Sequence, residues 1–134
     1  MTNRPFEILL VDDNAADVLY TQYVFEDVAF TGHLHVVGDG LGALAFLKRE
    51  GEYAGAPRPD LVLLDVNMPR MGGLEVLAHL RADPEWCALQ VVVMTSSASE
   101  AEVWRARDTG ASAYLPKPVD PAAVLALLSQ ADAR

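Results

Sequence analysis

The segment DLVLLDVNMPRMGG, residues 60–73, holds four consecutive apolar residues, Leu61 to Leu64, and the run breaks at Asp65. Such a run, with no polar alternation, fits a strand covered on both faces, as in a parallel sheet. The Asn, Pro and Gly residues that follow are turn formers, so the chain leaves the sheet at Asp65. Working outward, similar short runs recur. Phe6 to Val11 (FEILLV) lies upstream, with the weaker His33 to Val37 (HLHVV) after it, and Leu89 to Met94 (LQVVVM) and Ser112 to Leu115 (SAYL) lie downstream.

The segments between these runs read as helices. Ala16, Tyr20, Val24 and Val28 recur every four residues with Leu19 and Tyr23 alongside, an apolar stripe for the first helix. Ala43, Leu44 and Leu47 mark the second, and Leu74, Leu77 and Leu80 the third. The fourth spans Ser99 to Thr109 and stops at Gly110; the fifth starts after the Asp120–Pro121 pair and carries Val124, Leu127 and Leu128. Gly51 to Pro59 (GEYAGAPRP) predicts an exposed loop. Five strand–helix units imply a doubly wound α/β domain, in which ligands bind beyond the carboxyl ends of the strands.

The bulk properties narrow the function. A length of 134 residues suits one domain, residues 1–134, with a single sizeable core and no interdomain linker. The net charge of −9 argues against nucleic-acid binding, because phosphate backbones reward clustered Lys and Arg. The lone Cys87 cannot form an intramolecular disulfide and reads as structural, in keeping with a reducing cytoplasm. No apolar run approaches the ~20 residues of a membrane span, and MTNRPFEILLVDD lacks the layout of a signal peptide. A soluble cytoplasmic protein is the expectation.

The strand ends hold the chemistry. The first run closes in Asp12-Asp13, the third in Asp65 and the fourth in Thr95-Ser96, while Lys117 follows the fifth. In a parallel sheet these converge on one edge, where clustered carboxylates repel unless a cation screens them. Hard oxygen ligands suit Mg²⁺ or Mn²⁺, and carboxylate, hydroxyl and ammonium together can assemble phosphoryl transfer. Each residue also has a plain structural explanation. Asp12 and Asp13 could cap the first helix, Asp65 could open a turn, and Ser96, Ser97 and Ser99 read as helix caps. Lys117 is one of two lysines and sits between Pro116 and Pro118, an unusual place for a solvated side chain. It is the joint placement of all four at strand ends that points to one site.

The motifs ILLVDDN (8–14), DLVLLDVNMPRMGG (60–73), VVVMTS (91–96) and GASAYLPKP (110–118) resemble the receiver domain of bacterial two-component response regulators. The resemblance covers essentially the whole chain. Residues 35–70 are closer to small single-domain regulators associated with phytochrome-type histidine kinases. The implied fold is flavodoxin-like, a five-stranded parallel sheet in strand order 2-1-3-4-5 with five helices. The implied function is that of a stand-alone regulator with no output domain. It would undergo stoichiometric autophosphotransfer and autodephosphorylation only, without enzymatic turnover of a substrate.

The resemblance also implies residue roles. Asp65 would take the phosphoryl group from a kinase phosphohistidine. Asp13 and Asp65 would bind Mg²⁺ directly, Asp12 through water and Asn67 through its backbone carbonyl, with Mn²⁺ or Ca²⁺ able to substitute. Thr95 and Lys117 would each hold a phosphoryl oxygen, and Tyr114 would be the aromatic switch that moves inward with Thr95. The Lys117–Pro118 bond would be cis. The readout face would comprise the fourth helix, fifth strand and fifth helix, including Arg105 and Trp104, though Trp104 on its own reads as partial core. Similar proteins dimerise through that face. The implied partners are a histidine kinase, with a bacteriophytochrome as the candidate, and an unknown downstream protein.

Three other readings compete. A phosphatase or phosphotransferase of the haloacid-dehalogenase type also uses a strand-end Asp, but usually as an Asp-x-Asp pair with a cap domain. A flavodoxin-like cofactor binder would need a Ser/Thr/Gly-rich loop after the first strand, where DDNAAD would repel phosphate. A degenerate receiver serving only as a binding module is opposed by the intact set Asp12, Asp13, Asp65, Thr95 and Lys117.

Overall fold

The structure, a computed structural model, describes residues 5–27, 32–66, 68, 71–95 and 100–132, with side chains left aside at 100–102 and 129–132. Strands and helices alternate: β1 Phe6–Val11, α1 Ala15–Asp27, β2 Gly32–Val37, α2 Gly40–Lys48, β3 Leu61–Asp65, α3 Gly73–Ala82, β4 Gln90–Thr95, α4 Glu100–Thr109, β5 Ala113–Pro116 and α5 Pro121–Asp132. The strands form one parallel sheet in the order β2-β1-β3-β4-β5, as expected. Strand limits differ from the sequence reading by one residue at most ends, the usual uncertainty of such boundaries.

Pleating sorts the core into two layers. Leu9, Val11, Val62, Leu64, Val91 and Val93 face Ala43, Phe46, Val76, Leu77, Leu80 and Ala106 of α2, α3 and α4. Ile8, Leu10, Leu61, Leu63, Val92 and Met94 face Phe25, Val124 and Leu128 of α1 and α5. Every side chain of β3 is buried, which explains the absence of alternation in LVLL.

Several expectations need correction. In α1 the buried residues are Thr21 and Phe25, with Val18 and Val24 half-buried; Leu19, Tyr20 and Tyr23 are 67%, 47% and 65% exposed. Ala16 is exposed too, and Val28 lies outside the described residues. The true face runs 18–21–25, and its polar member is satisfied internally, because Thr21 Oγ1 donates to the Asp17 carbonyl at 2.8 Å. Trp104 is 60% exposed rather than partial core, since α4 packs through Ala106, about 200° around the helix. Cys87 is exposed, so burial gives it no structural role. The 51–59 loop is partly anchored: it holds a short 3-10 turn, Gly51–Tyr53, Tyr53 and Ala56 pack on the core, and Pro59 is buried. Among the described residues no helix is long and apolar enough to cross a membrane.

At the sheet's far end, Glu7 binds His33 Nδ1 and His35 Nε2, one through each carboxylate oxygen, both at 2.7 Å. Burial works against the Glu7 carboxylate, but the two histidine contacts outweigh it and hold its pKa below the ordinary value. A depressed carboxylate stabilises the fold above its unfolded pKa, and that contribution fades as pH falls through the folded value. Urea unfolding of Glu7→Gln should therefore show a deficit on the order of 1 kcal/mol near pH 5–6 that shrinks towards pH 3. A deficit independent of pH would show that the carboxylate's charge is not involved.

Candidate functional site

The register of the sheet brings the polar strand ends together. Val11 lies beside both Val37 and Leu64, Asp65 beside Met94, and Thr95 beside Pro116, so neighbouring strands finish at one edge. Backbone bonds continue past the strands: Asp12 N–H donates to the Val37 carbonyl at 3.1 Å, Val66 N–H to Met94 at 3.1 Å and Lys117 N–H to Thr95 at 2.8 Å. Asp12, Asp65 and Lys117 are thereby placed by main chain before any side-chain contact forms.

Asp12, Asp65 and Thr95 are buried at 3%, 5% and 1% exposure, whereas Asp13 faces solvent. Oxygens of Asp12, Asp13 and Asp65 lie within 4.8 Å of one another. At that separation two carboxylates repel by about 3.5 kcal/mol at an effective dielectric of ~20. Lys117 relieves part of this repulsion. Its Nζ is 2.8 Å from Asp17 Oδ2, 3.0 Å from Asp12 Oδ2 and 3.2 Å from Asp65 Oδ2. Burial works against the ammonium, but hydrogen bonds to Asp17 and Asp12 and the charge of Asp65 outweigh it and raise its pKa above the ordinary lysine value. Lys117 is therefore charged throughout the physiological pH range. One ammonium against four carboxylates still leaves a large negative excess, and the all-oxygen cluster fits a hard divalent cation.

The helix-cap alternative for Asp12 and Asp13 is settled by Asn14. Its Oδ1 accepts from Asp17 N–H at 3.0 Å and its carbonyl from Val18 N–H at 3.0 Å, so Asn14 opens α1. Asp12 Oδ1 accepts from Asn14 N–H at 2.9 Å, which orients the carboxylate and leaves Oδ2 towards Lys117. Tyr114 is half-buried on edge strand β5, beside Val93 and packed on the same layer, while Thr95 continues the alternation of Val91 and Val93. The Lys117–Pro118 bond is cis. Asn67, Ser96, Ser97 and Ser99 lie outside the described residues. Asp17 was not singled out from the sequence; its one signal was an acid three residues after the capping Asn14.

Residues 8–129 match the response regulator receiver domain family. Response regulator Rcp1 of Synechocystis sp. is 40% identical over 116 residues, covering 87% of this chain and 79% of that protein. The crystal structure of the Mn²⁺-bound form of Rcp1 superposes with a TM-score of 0.80 at 37% identity, over 92% of this chain and 89% of that one. The phosphorylated cyanobacterial phytochrome response regulator RcpA gives 0.80 at 34% identity, over 96% and 91%.

Close packing behind Asp65 yields a test. Gly73 opens α3, its N–H donating to the Val66 carbonyl at 3.0 Å, and a Cβ there would collide with the Asp65 carbonyl. Gly73→Ala should displace the end of β3 and weaken divalent-cation binding about tenfold by calorimetry, the ~1.4 kcal/mol at the low end of an overpacking cost. Gly55→Ala, where a Cβ meets open space, should bind as wild type does. In fold, in the order of its motifs and in the span of its match, the chain belongs to the response regulator receiver domain family.

Proposed function

We propose that the chain acts as a single receiver module that accepts a phosphoryl group on Asp65 and converts it into a changed surface. The observation supporting this most directly is the Lys117 ammonium, held 3.2 Å from Asp65 Oδ2 and 3.0 Å from Asp12 Oδ2 at the sheet edge. In transfer, an Asp65 oxygen attacks the phosphorus of a phosphohistidine. The new P–O bond forms as the P–N bond breaks, and the imidazole leaves with the electron pair. Hydrolysis reverses the charge: water attacks phosphorus, the P–O bond to Asp65 breaks, and inorganic phosphate departs. The cycle is stoichiometric and turns over no separate substrate.

Asp12, Asp13 and Asp65, with the Asn67 carbonyl, would hold a divalent cation, Mg²⁺ in our reading, which neutralises charge on the incoming phosphoryl group when bound. The acid cluster supports this, as does Mn²⁺ binding by the relative Rcp1. Lys117 orients one phosphoryl oxygen and compensates its charge, and the Thr95 hydroxyl donates to another. Drawing Thr95 towards the phosphate vacates space on the layer it shares with Tyr114, so the added charge biases one of two loop arrangements. The output face is α4, β5 and α5, where Trp104 stands exposed with the Arg107 guanidinium 5.8 Å from its ring. The same face is the proposed route to a homodimer or to a downstream protein. Likeness to the phytochrome regulator RcpA supports a phytochrome-type histidine kinase as the phosphodonor; a cytoplasmic setting is our reading from the lone cysteine, which fits a reducing compartment.

Incubation with Mg²⁺ and acetyl phosphate should label wild type and leave Asp65→Asn unlabelled; equal labelling would remove Asp65 as acceptor. Lys117→Ala should still take up the label but lose most of the Trp104 fluorescence response to phosphorylation. An unchanged response would show that Lys117 does not transmit the signal.

A further inference from the structure

The shortest contact of the Lys117 ammonium is not to either acid of the strand-end motifs. It is to Asp17, at 2.8 Å, across 100 residues of chain. Asp17 is 41% exposed at its side chain, whereas Asp12 and Lys117 are 1% and 12% exposed. It is fixed at three points: its N–H on Asn14 Oδ1, its carbonyl under Thr21 Oγ1, and its carboxylate on Lys117. Asp17 also lies outside the cluster of carboxylates close enough to share one cation, which comprises Asp12, Asp13 and Asp65. A cleft of about 380 Å³ borders the ammonium, lined among others by Asp17, Tyr20, Thr21 and Pro118, so a released lysine has room to swing away.

From this geometry we propose that Asp17 is the positioning residue for Lys117, a counter-ion that keeps the ammonium beside Asp65 through the whole phosphorylation cycle. The proposal rests on the acceptor reading given above. A cation shared by Asp12, Asp13 and Asp65 draws on the same negative charge that now holds Lys117 and repels the ammonium directly. Among the described residues, Asp17 is the one carboxylate in contact with Lys117 that lies outside the group able to share a cation. An ammonium has three protons, and here they meet three carboxylates. When Asp65 carries a phosphoryl group, the proton now directed at Asp65 passes to a phosphoryl oxygen, and the bond to Asp17 needs no rearrangement. Asp17 therefore pre-organises the lysine rather than competing for it, sparing the entropy of ordering a long flexible side chain at the moment of transfer.

The side-chain ammonium signals provide a readout independent of labelling, because the chain has two lysines, Lys48 and Lys117. In ¹⁵N-relaxation measurements with saturating Mg²⁺, the Lys117 ammonium should be ordered in wild type and mobile in Asp17→Asn. Asp17→Glu should restore part of the order. Labelling by acetyl phosphate should slow about fivefold in Asp17→Asn, the scale of a contacting pair, and less than twofold when Asp17→Asn is added to Lys117→Ala. A Lys117 ammonium equally ordered in Asp17→Asn, or equal slowing in both backgrounds, would overturn the proposal and leave Asp17 a helix-start residue. Absence of label on wild type, or label on Asp65→Asn, would instead fault the acceptor reading, and the ammonium order would still decide the role of Asp17.

Discussion

The organisation of this protein follows from one constraint: like charges crowded at the carboxyl edge of a sheet too apolar to solvate them. Asp12 directly follows four buried residues of β1, Ile8 to Val11, and Asp65 ends the fully buried β3, so both carboxylates sit almost wholly out of water. Their repulsion, about 3.5 kcal/mol for a pair at an effective dielectric of ~20, is a sizeable fraction of the roughly 5–15 kcal/mol by which a domain is stable. Lys117 meets part of the need, and its raised pKa is the signature of that duty. The remaining negative charge is an invitation to a divalent cation and, with it, to a phosphoryl group.

Because the site is made at strand ends, its precision derives from the sheet. The parallel register aligns the ends of β1, β3, β4 and β5, and main-chain bonds running past those ends hold Asp12, Val66 and Lys117 in place. Gly73 lets α3 start against the back of Asp65. The layers then divide the labour. Thr95 and Tyr114 belong to the face covered by α2, α3 and α4, while Asp12 continues the face covered by α1 and α5. By the same alternation Asp65 continues the side of Leu61 and Leu63 with Asp12, while Thr95 lies on the opposite layer one strand away, so the site draws on both layers of the core.

Most of this frame was legible in the residues. Uninterrupted runs such as LVLL and VVV, short and bounded by turn formers, suit strands buried on both faces, and the polar residue ending each run could be placed at one edge without coordinates. What escaped was governed by local hydrogen bonding and helix phase. In α1 a threonine sits on the buried face because its hydroxyl finds a carbonyl one turn back, so a search for apolar spacing chose Leu19, Tyr20 and Tyr23 instead. Trp104 was misjudged for the opposite reason, since hydrophobicity alone does not give the rotation of a short helix whose buried residue is an alanine. Asp17 was passed over because its partner is far away in sequence, and an acid in a first helical turn already has an ordinary explanation.

The central claim, that Asp65 takes the phosphoryl group, is tested most directly by borohydride reduction of the acetyl-phosphate-treated protein followed by peptide mass mapping. Reduction converts an aspartyl phosphate to homoserine, and the account predicts homoserine at position 65 and at no other aspartate. Homoserine at Asp12, Asp13 or Asp17, or a labelled protein that yields none, would contradict it.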